Sequence, residues 1–140
     1  MDWSRRMICC KRISKEIMPN PIQLRLTFPP SANRMYRNIG PKRTIMSKVY
    51  RDWKAFNTGS INIKKGFTHP SAVSIELALT PPDKRKRDLD NYIKPVLDAL
   101  EASGALENDN MVKRLNVFWR KENKERSGVF CTIKECCPTN

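Results

Sequence analysis

Apolar and polar residues alternate from Ile22 to Phe28. Ile22, Leu24, Leu26 and Phe28 fall on one side, Gln23, Arg25 and Thr27 on the other. A period of two marks a half-buried β-strand. The following stretch, PPSANRMYRNIGPKRT, is too rich in Pro, Gly and Asn for a regular element. Val49, Tyr50, Trp53 and Phe56 then recur at helical spacing behind Ser47, a suitable N-cap. After a loop over 59–70, Val73, Ile75, Leu77 and Leu79 form the apolar face of a second strand. Leu89, Ile93, Val96, Leu97 and Leu100 stand at offsets of 0, 4, 7, 8 and 11, the period of an amphipathic helix that Gly104 can end. Pro95 lacks an amide proton and crowds the preceding turn. Either the regular helix starts near it, or the first turn is distorted. VKRLNVFWRK and GVFCTIKE read as two strands joined across Glu122–Ser127 as a hairpin.

The order is β-α-β-α-β-β, which predicts one α/β (α+β) domain with a mixed sheet and two main helices. Two crossover units favour neighbouring parallel strands with right-handed connections, and the terminal hairpin adds an antiparallel pair. At 140 residues the chain suits a single domain over 20–140, preceded by a basic, poorly ordered arm over 1–19. No repeat or internal linker interrupts it.

Charge changes this picture from a generic domain to one with an acidic partner. Lys and Arg number 27 against 14 Asp and Glu, a net charge of +13. Such an excess opposes compaction, and nucleic acid is the leading partner because each phosphate contacted releases a condensed counterion. A membrane is not expected as a partner, since no run approaches the roughly 20 apolar residues of a spanning helix. The first 18 residues have no apolar core, so they are not a secretory signal. Cys9, Cys10, Cys131, Cys136 and Cys137 are odd in number and lack C-x-x-C spacing, which favours reduced thiols in an intracellular, cytoplasmic protein.

One stretch joins the basic surplus to its opposite. In PPDKRKRDLDNYIK, the cations Lys84, Arg85, Lys86 and Arg87 run directly into Asp88 and Asp90. Taken singly, these aspartates are helix caps, and Lys94 is an ordinary surface partner of Asp90. Yet the pair sits at a strand-to-helix transition, where ligands of open α/β sheets bind. A third acid, Asp109 in GALENDNMV, arrives just before the third strand at a parallel location. Two or three carboxylates with phosphate oxygens make a hard oxygen site suited to Mg²⁺, with Mn²⁺ as a substitute. The combination points to a metal-dependent phosphodiesterase. A non-catalytic basic nucleic-acid-binding protein is the alternative.

LTFPPSANRMYR, PPDKRKRDLDNYIK and GALENDNMV together resemble the RusA-type endodeoxyribonucleases, the Holliday junction resolvases of phages and prophages. The resemblance runs from about Ile22 to Glu135. It implies that Asp88, Asp90 and Asp109 are catalytic, metal-binding carboxylates and that Lys94 is an essential catalytic lysine. It also implies a homodimer that resolves four-way DNA junctions with Mg²⁺ by paired symmetric nicks, in recombination, repair or phage DNA processing. Asn108 stands where a relative has a second acid, and the arm before Pro19 lies outside the resemblance.

On this reading Lys84, Arg85, Lys86 and Arg87 contact flanking phosphates, which positions DNA without reading bases. Asn33, Arg34 and Tyr36, on the first long loop, contact DNA at the rim, with Tyr36 available to stack on an unpaired base. Asp83 is expected to stabilise a turn rather than bind metal. His69, the only histidine, is expected to be incidental. The dimer contact is expected at the last strand's edge or on an exposed helix.

Overall fold

The computed structural model describes residues 21–61, 63 and 72–136; the expected N-terminal arm and His69 lie outside them. Among these residues six strands and two α-helices are formed: β1 (Ile22–Leu26), β2 (Tyr36–Asn38), β3 (Thr44–Met46), α1 (Lys48–Ser60), β4 (Val73–Thr80), α2 (Ile93–Ala102), β5 (Val112–Trp119) and β6 (Gly128–Glu135). The main sheet has the order β1-β6-β4-β5. β4 and β5 are parallel, while β6 is antiparallel to both β1 and β4. A mixed α/β sheet is therefore present, as the periodicity predicts.

Its strand order differs from expectation in two places. β5 and β6 are not a hairpin, because β4 lies between them. β1 and β4 run parallel but are separated by β6 rather than paired. The connection from β5 to β6 crosses the end of β4, where the Arg120 amide donates to the Leu79 carbonyl at 2.7 Å and the Asn123 amide to the Pro81 carbonyl at 2.9 Å. Alternation tells which residues face the core, not which strand lies beside which. It follows that the last strand is interior, so its edge is not free for a second copy. The free edges belong to β1 and β5.

One face of the sheet is covered. Ile75, Leu77, Leu79, Val129, Cys131 and Ile133 pack beneath Tyr50, Trp53, Val96, Ala99 and Leu100 from the two helices. Each fully buried side chain of this kind contributes about 1.5–3 kcal/mol. Burial pushes the Cys131 thiol up to about 12, so it is a packing residue, not a nucleophile. The opposite face carries Gln23, Arg25, Glu76, Asn116 and Lys134 exposed to solvent.

Local chemistry explains the helix limits. The Ser47 hydroxyl accepts from the Tyr50 amide and caps α1. Val49 and Phe56, expected on its apolar face, are 62% and 66% exposed. Asn57 is buried in their stead because its side chain binds the chain beyond β1. It donates to the Thr27 hydroxyl and the Trp53 carbonyl, both at 2.8 Å, and accepts from the Thr27 amide at 2.9 Å. Pro95 falls in the first turn of α2, where its missing amide proton costs nothing, and the preceding Leu89–Tyr92 turn is 3₁₀. A Schellman motif ends α2: the Gly104 amide donates to Glu101 at 3.2 Å and the Ala105 amide to Leu100 at 3.0 Å. The stretch read as irregular contains a 3₁₀ turn, Ala32–Arg34, and the short β2–β3 hairpin. Strands of three residues are too short for periodicity to reveal.

Candidate active site

The PPDKRKR segment leaves β4 and is shaped by its own side chains. Asp83 accepts from the Arg85 amide at 2.9 Å, the turn-stabilising role expected of it. Its carboxylate also pairs with Arg87 at 2.7 Å. The Arg87 side chain is 14% exposed, and its guanidinium lies 5.5 Å over the Phe28 ring. Beneath it Phe28, Tyr92 and Trp119 form an aromatic support, with ring centroids 5.1, 5.7 and 6.4 Å apart. Arg87 is thus occupied internally, while Lys84, Arg85 and Lys86 are exposed. Lys84 lies 3.9 Å from Glu122 and Arg85 3.8 Å from Asp83, both loose surface pairs.

The Arg87 hydrogen bond, with the Arg85 amide behind it, holds the Asp83 carboxyl down at about 2 from its usual 3.8. A depressed carboxylate contributes stability above its unfolded pKa and loses it as pH falls through its folded pKa. Asp83→Asn is therefore expected to lower the melting temperature slightly near neutral pH. The gap from wild type should close between about pH 4 and pH 2. Thermal melts of both proteins across that range provide the check, and a gap unchanged at about pH 2 would contradict the pairing.

Asp88 and Asp90 follow at the 3₁₀ turn. Asp88 occupies the N-cap position in extended conformation, but its side chain makes no capping hydrogen bond. Both residues are exposed, and neither carboxylate has a hydrogen-bond or ion-pair partner among the described residues. The expected Asp90–Lys94 pair is absent from the described ion pairs. With three residues per turn at this point, positions 90 and 94 do not share a face.

Lys94 turns the other way. Its Nζ lies 2.9 Å from Asp98 and 3.7 Å from Asp109, so it bridges α2 and the Asp109–Met111 turn before β5. Asp98 also accepts from the Tyr50 hydroxyl at 3.1 Å. The hydrogen bond to Asp98 raises the Lys94 pKa, with Asp98 and Asp109 charge adding to it. Burial, then Asp98, raises that of Tyr50. Tyr50 from α1, Asp98 and Lys94 from α2, and Asp109 from the following turn form one connected network. Sequence reasoning does not single out Asp98 as a site residue, and it assigns Tyr50 only to a helix face. The i, i+4 spacing of Lys94 and Asp98 is the available signal.

Asp109 lies just before β5, as expected. The β4–β5 register sets Val112 beside Val73, so Asp109 precedes the amino end of the parallel strands, whereas Asp88 and Asp90 follow the carboxyl end of β4. Lys94, in the first turn of the crossover helix and four residues after Asp90, reaches across to within 3.7 Å of Asp109. Among the described residues, no three His, Cys, Asp or Glu side chains already stand together as a metal cluster. The donor chemistry nevertheless suits a hard divalent cation. Among the described residues, Asp88 and Asp90 are exposed oxygen donors without internal ties, and Asp109 pairs only with the Lys94 ammonium.

Around these groups lies the rim. Asn33 and Arg34 are exposed on the Ala32–Arg34 turn, which abuts the Leu89–Tyr92 turn. Tyr36 is 52% exposed on β2. Arg34, Arg85 and Lys86 line a cleft of about 320 Å³ whose apolar wall includes Phe28 and Tyr92.

Cations alone would suit a passive polyanion-binding surface, but exposed carboxylates beside them add the oxygen donors that a metal-dependent phosphodiesterase uses. The chain belongs to the endodeoxyribonuclease RusA family, whose pattern matches residues 27–134. It is 30% identical over 106 residues to the crossover junction endodeoxyribonuclease RusA of Aquifex aeolicus (strain VF5), covering 75% of this chain and 82% of that one. To the Enterobacteria phage HK97 protein of the same name it is 32% identical over 99 residues, covering 71% and 82%. To the Escherichia coli (strain K12) RusA it is 34% identical over 87 residues, covering 61% and 71%. No helix among the described residues is long and apolar enough to cross a membrane.

Proposed function

We propose that this protein is a divalent-metal-dependent endodeoxyribonuclease that resolves four-way DNA junctions, acting as a homodimer in the cytoplasm of a bacterial or phage-infected cell. The observation that carries the reading is the pair Asp88 and Asp90, carboxylates with no partner among the described residues, beside exposed Lys84, Arg85 and Lys86. Uncompensated anions in a DNA-facing loop oppose binding, so their placement is useful only with a cation between them and the phosphate. Family membership and the names of the relatives point the same way.

Asp88, Asp90 and Asp109 would hold the metal. When bound, Mg²⁺ or Mn²⁺ supplies Lewis acidity toward the scissile phosphate and lowers the pKa of an attacking water. Lys94, kept protonated by Asp98, stands beside Asp109 to offset charge that develops on the phosphate. Lys84, Arg85, Lys86, Asn33 and Arg34 position the backbone, and Tyr36 offers an exposed ring for stacking. A homodimer matches the two-fold symmetry of a junction and places paired nicks on strands of like polarity. With β6 interior, the exposed Val49 and Phe56, seven residues apart on α1, are the surface that remains from the two expected dimer contacts.

The deciding assay incubates the protein with a synthetic four-way junction and with a linear duplex, with and without Mg²⁺. Metal-dependent, paired cleavage of the junction is the expected result. Intact junctions in both Mg²⁺ and Mn²⁺, bound by folded protein, would leave only the binding role.

The network around Lys94 allows a finer test. Asp98→Asn removes the charge that holds the ammonium and is expected to lower kcat roughly tenfold to a hundredfold, the scale of a misplaced catalytic group. KM for the junction should hardly change, because Asp98 faces Lys94 and Tyr50, not solvent. A matching loss of binding, or a melting temperature reduced enough to account for the lost activity, would contradict the positioning role.

A further inference from the structure

Beyond the carboxylate-bearing loop, the same end of the sheet carries a second cationic cleft. It encloses about 430 Å³, and its lining includes Arg25, Arg120, Lys121, Asn123, Arg126 and Phe130. Register locates it. Arg25 pairs across from Phe130, and Phe130 from Ala78, in the row that alternates with the core residues Leu26, Val129 and Leu79. These side chains therefore lie on the face of the sheet opposite the two helices.

The cleft is held in place by the fold. The Arg120 amide is tied to the Leu79 carbonyl at the end of β4, and the Arg120 guanidinium lies 5.9 Å over the Phe130 ring. The Arg25 guanidinium donates to the Arg126 carbonyl at 3.4 Å. Asn123 caps the connecting turn by accepting from the Glu125 and Arg126 amides at 3.0 and 3.1 Å. No carboxylate lines this cleft, and none of its four cations forms an ion pair among the described residues. Of the acids nearby in sequence or register, Glu122 lies toward Lys84, Glu125 is exposed on the turn, and Glu76 sits two residues before Ala78 on β4. Four like charges gathered without a counter-charge repel one another, and an external polyanion relieves that repulsion.

We propose that this cleft binds the phosphate backbone of a second duplex arm of branched DNA, while the carboxylate-bearing loop holds the arm to be cut. The inference rests on the nuclease reading above and extends it to the choice of substrate. The Asn123–Pro81 hydrogen bond of 2.9 Å ties the connection that carries this cleft to the start of the cationic loop. A straight duplex held against the loop leaves along one direction. A branch point sends another arm across the opposite face, where Arg25, Arg120, Lys121 and Arg126 meet its phosphates. Contacts of this kind carry no base sequence information, so they contribute selection by shape.

The test compares wild type with the double variant Arg120→Gln, Arg126→Gln, binding a four-way junction and a linear duplex in metal-free buffer over a range of salt. Junction affinity should fall about tenfold, and the salt slope should shrink by roughly 0.9 for each phosphate that the variant no longer neutralises. Duplex affinity should stay within about twofold of wild type, because the loop cations are untouched. The Arg120→Lys, Arg126→Lys protein should restore most of the slope, which separates removal of charge from failure to fold. Equal losses on both DNAs, or no loss on the junction, would overturn the cleft. Wild-type protein that neither prefers nor cuts junctions in Mg²⁺ would instead overturn the nuclease reading on which the proposal stands.

Discussion

Asp90→Asn protein is expected to leave four-way junctions uncut while binding them at least as tightly as wild type. The substitution preserves size and removes one negative charge. Asp90 is exposed and its carboxylate has no hydrogen-bond or ion-pair partner among the described residues, so folding does not depend on its charge. On the proposed reading metal binding does depend on it, because a neutral amide is a poor replacement for one of three anionic donors. Loss of metal-assisted phosphate chemistry should reduce single-turnover cleavage by at least about a thousandfold, since each such contribution is worth several kcal/mol. Binding moves in the opposite direction, because an anion facing the phosphates has been removed. Fluorescence anisotropy with labelled junction, beside a cleavage time course, separates the two. If affinity and cleavage disappear together in a folded variant, Asp90 is a structural or DNA-contacting residue and not a metal ligand.

Gly128→Ala is expected to have the largest effect on stability, roughly 2–4 kcal/mol, a large part of the 5–15 kcal/mol that holds a domain together. Gly128 opens β6 opposite Thr80 with φ +151°, a conformation that side chains rarely adopt. A Cβ there would run into the Leu26 carbonyl oxygen at the end of β1, and backbone on both sides leaves little room to yield. The close approach of two strands is the reason for the glycine. Gly104→Ala supplies the control. Its φ is +85°, but a Cβ would meet nothing within 4 Å, so only conformational strain of about 1 kcal/mol is expected. Denaturant melts should rank the two in that order; equal destabilisation would show that the carbonyl contact does not limit the site.

The candidate site is legible from the sequence to different depths. Clustering of Lys84–Arg87 with Asp88 and Asp90 needs only adjacency along the chain, and the turn role of Asp83 is a matter of two residues. The association of Lys94 with Asp109 depends on family resemblance, and the structure places them 3.7 Å apart. Asp98 and Tyr50 escape notice because their link crosses from α1 to α2, a separation of 48 residues. Arg87 cannot be told from its three cationic neighbours, since its inward position comes from Phe28 on another part of the chain.

The sequence by itself determined the two helices and the four strands of the main sheet, the buried faces of those strands and of α2, the helix caps at Ser47 and Gly104, and the basic character of the chain. All of these follow from spacing within a few residues, where sterics and hydrogen bonding are local. Tertiary structure alone decided that β4 stands between β5 and β6, and that Tyr50 and Asp98 join Lys94 and Asp109 in one network. It also placed the Arg25–Arg126 cleft on the face of the sheet opposite the two helices. Such pairings are set by which apolar faces close one core together. That is a property of the whole chain, which no single period along it records.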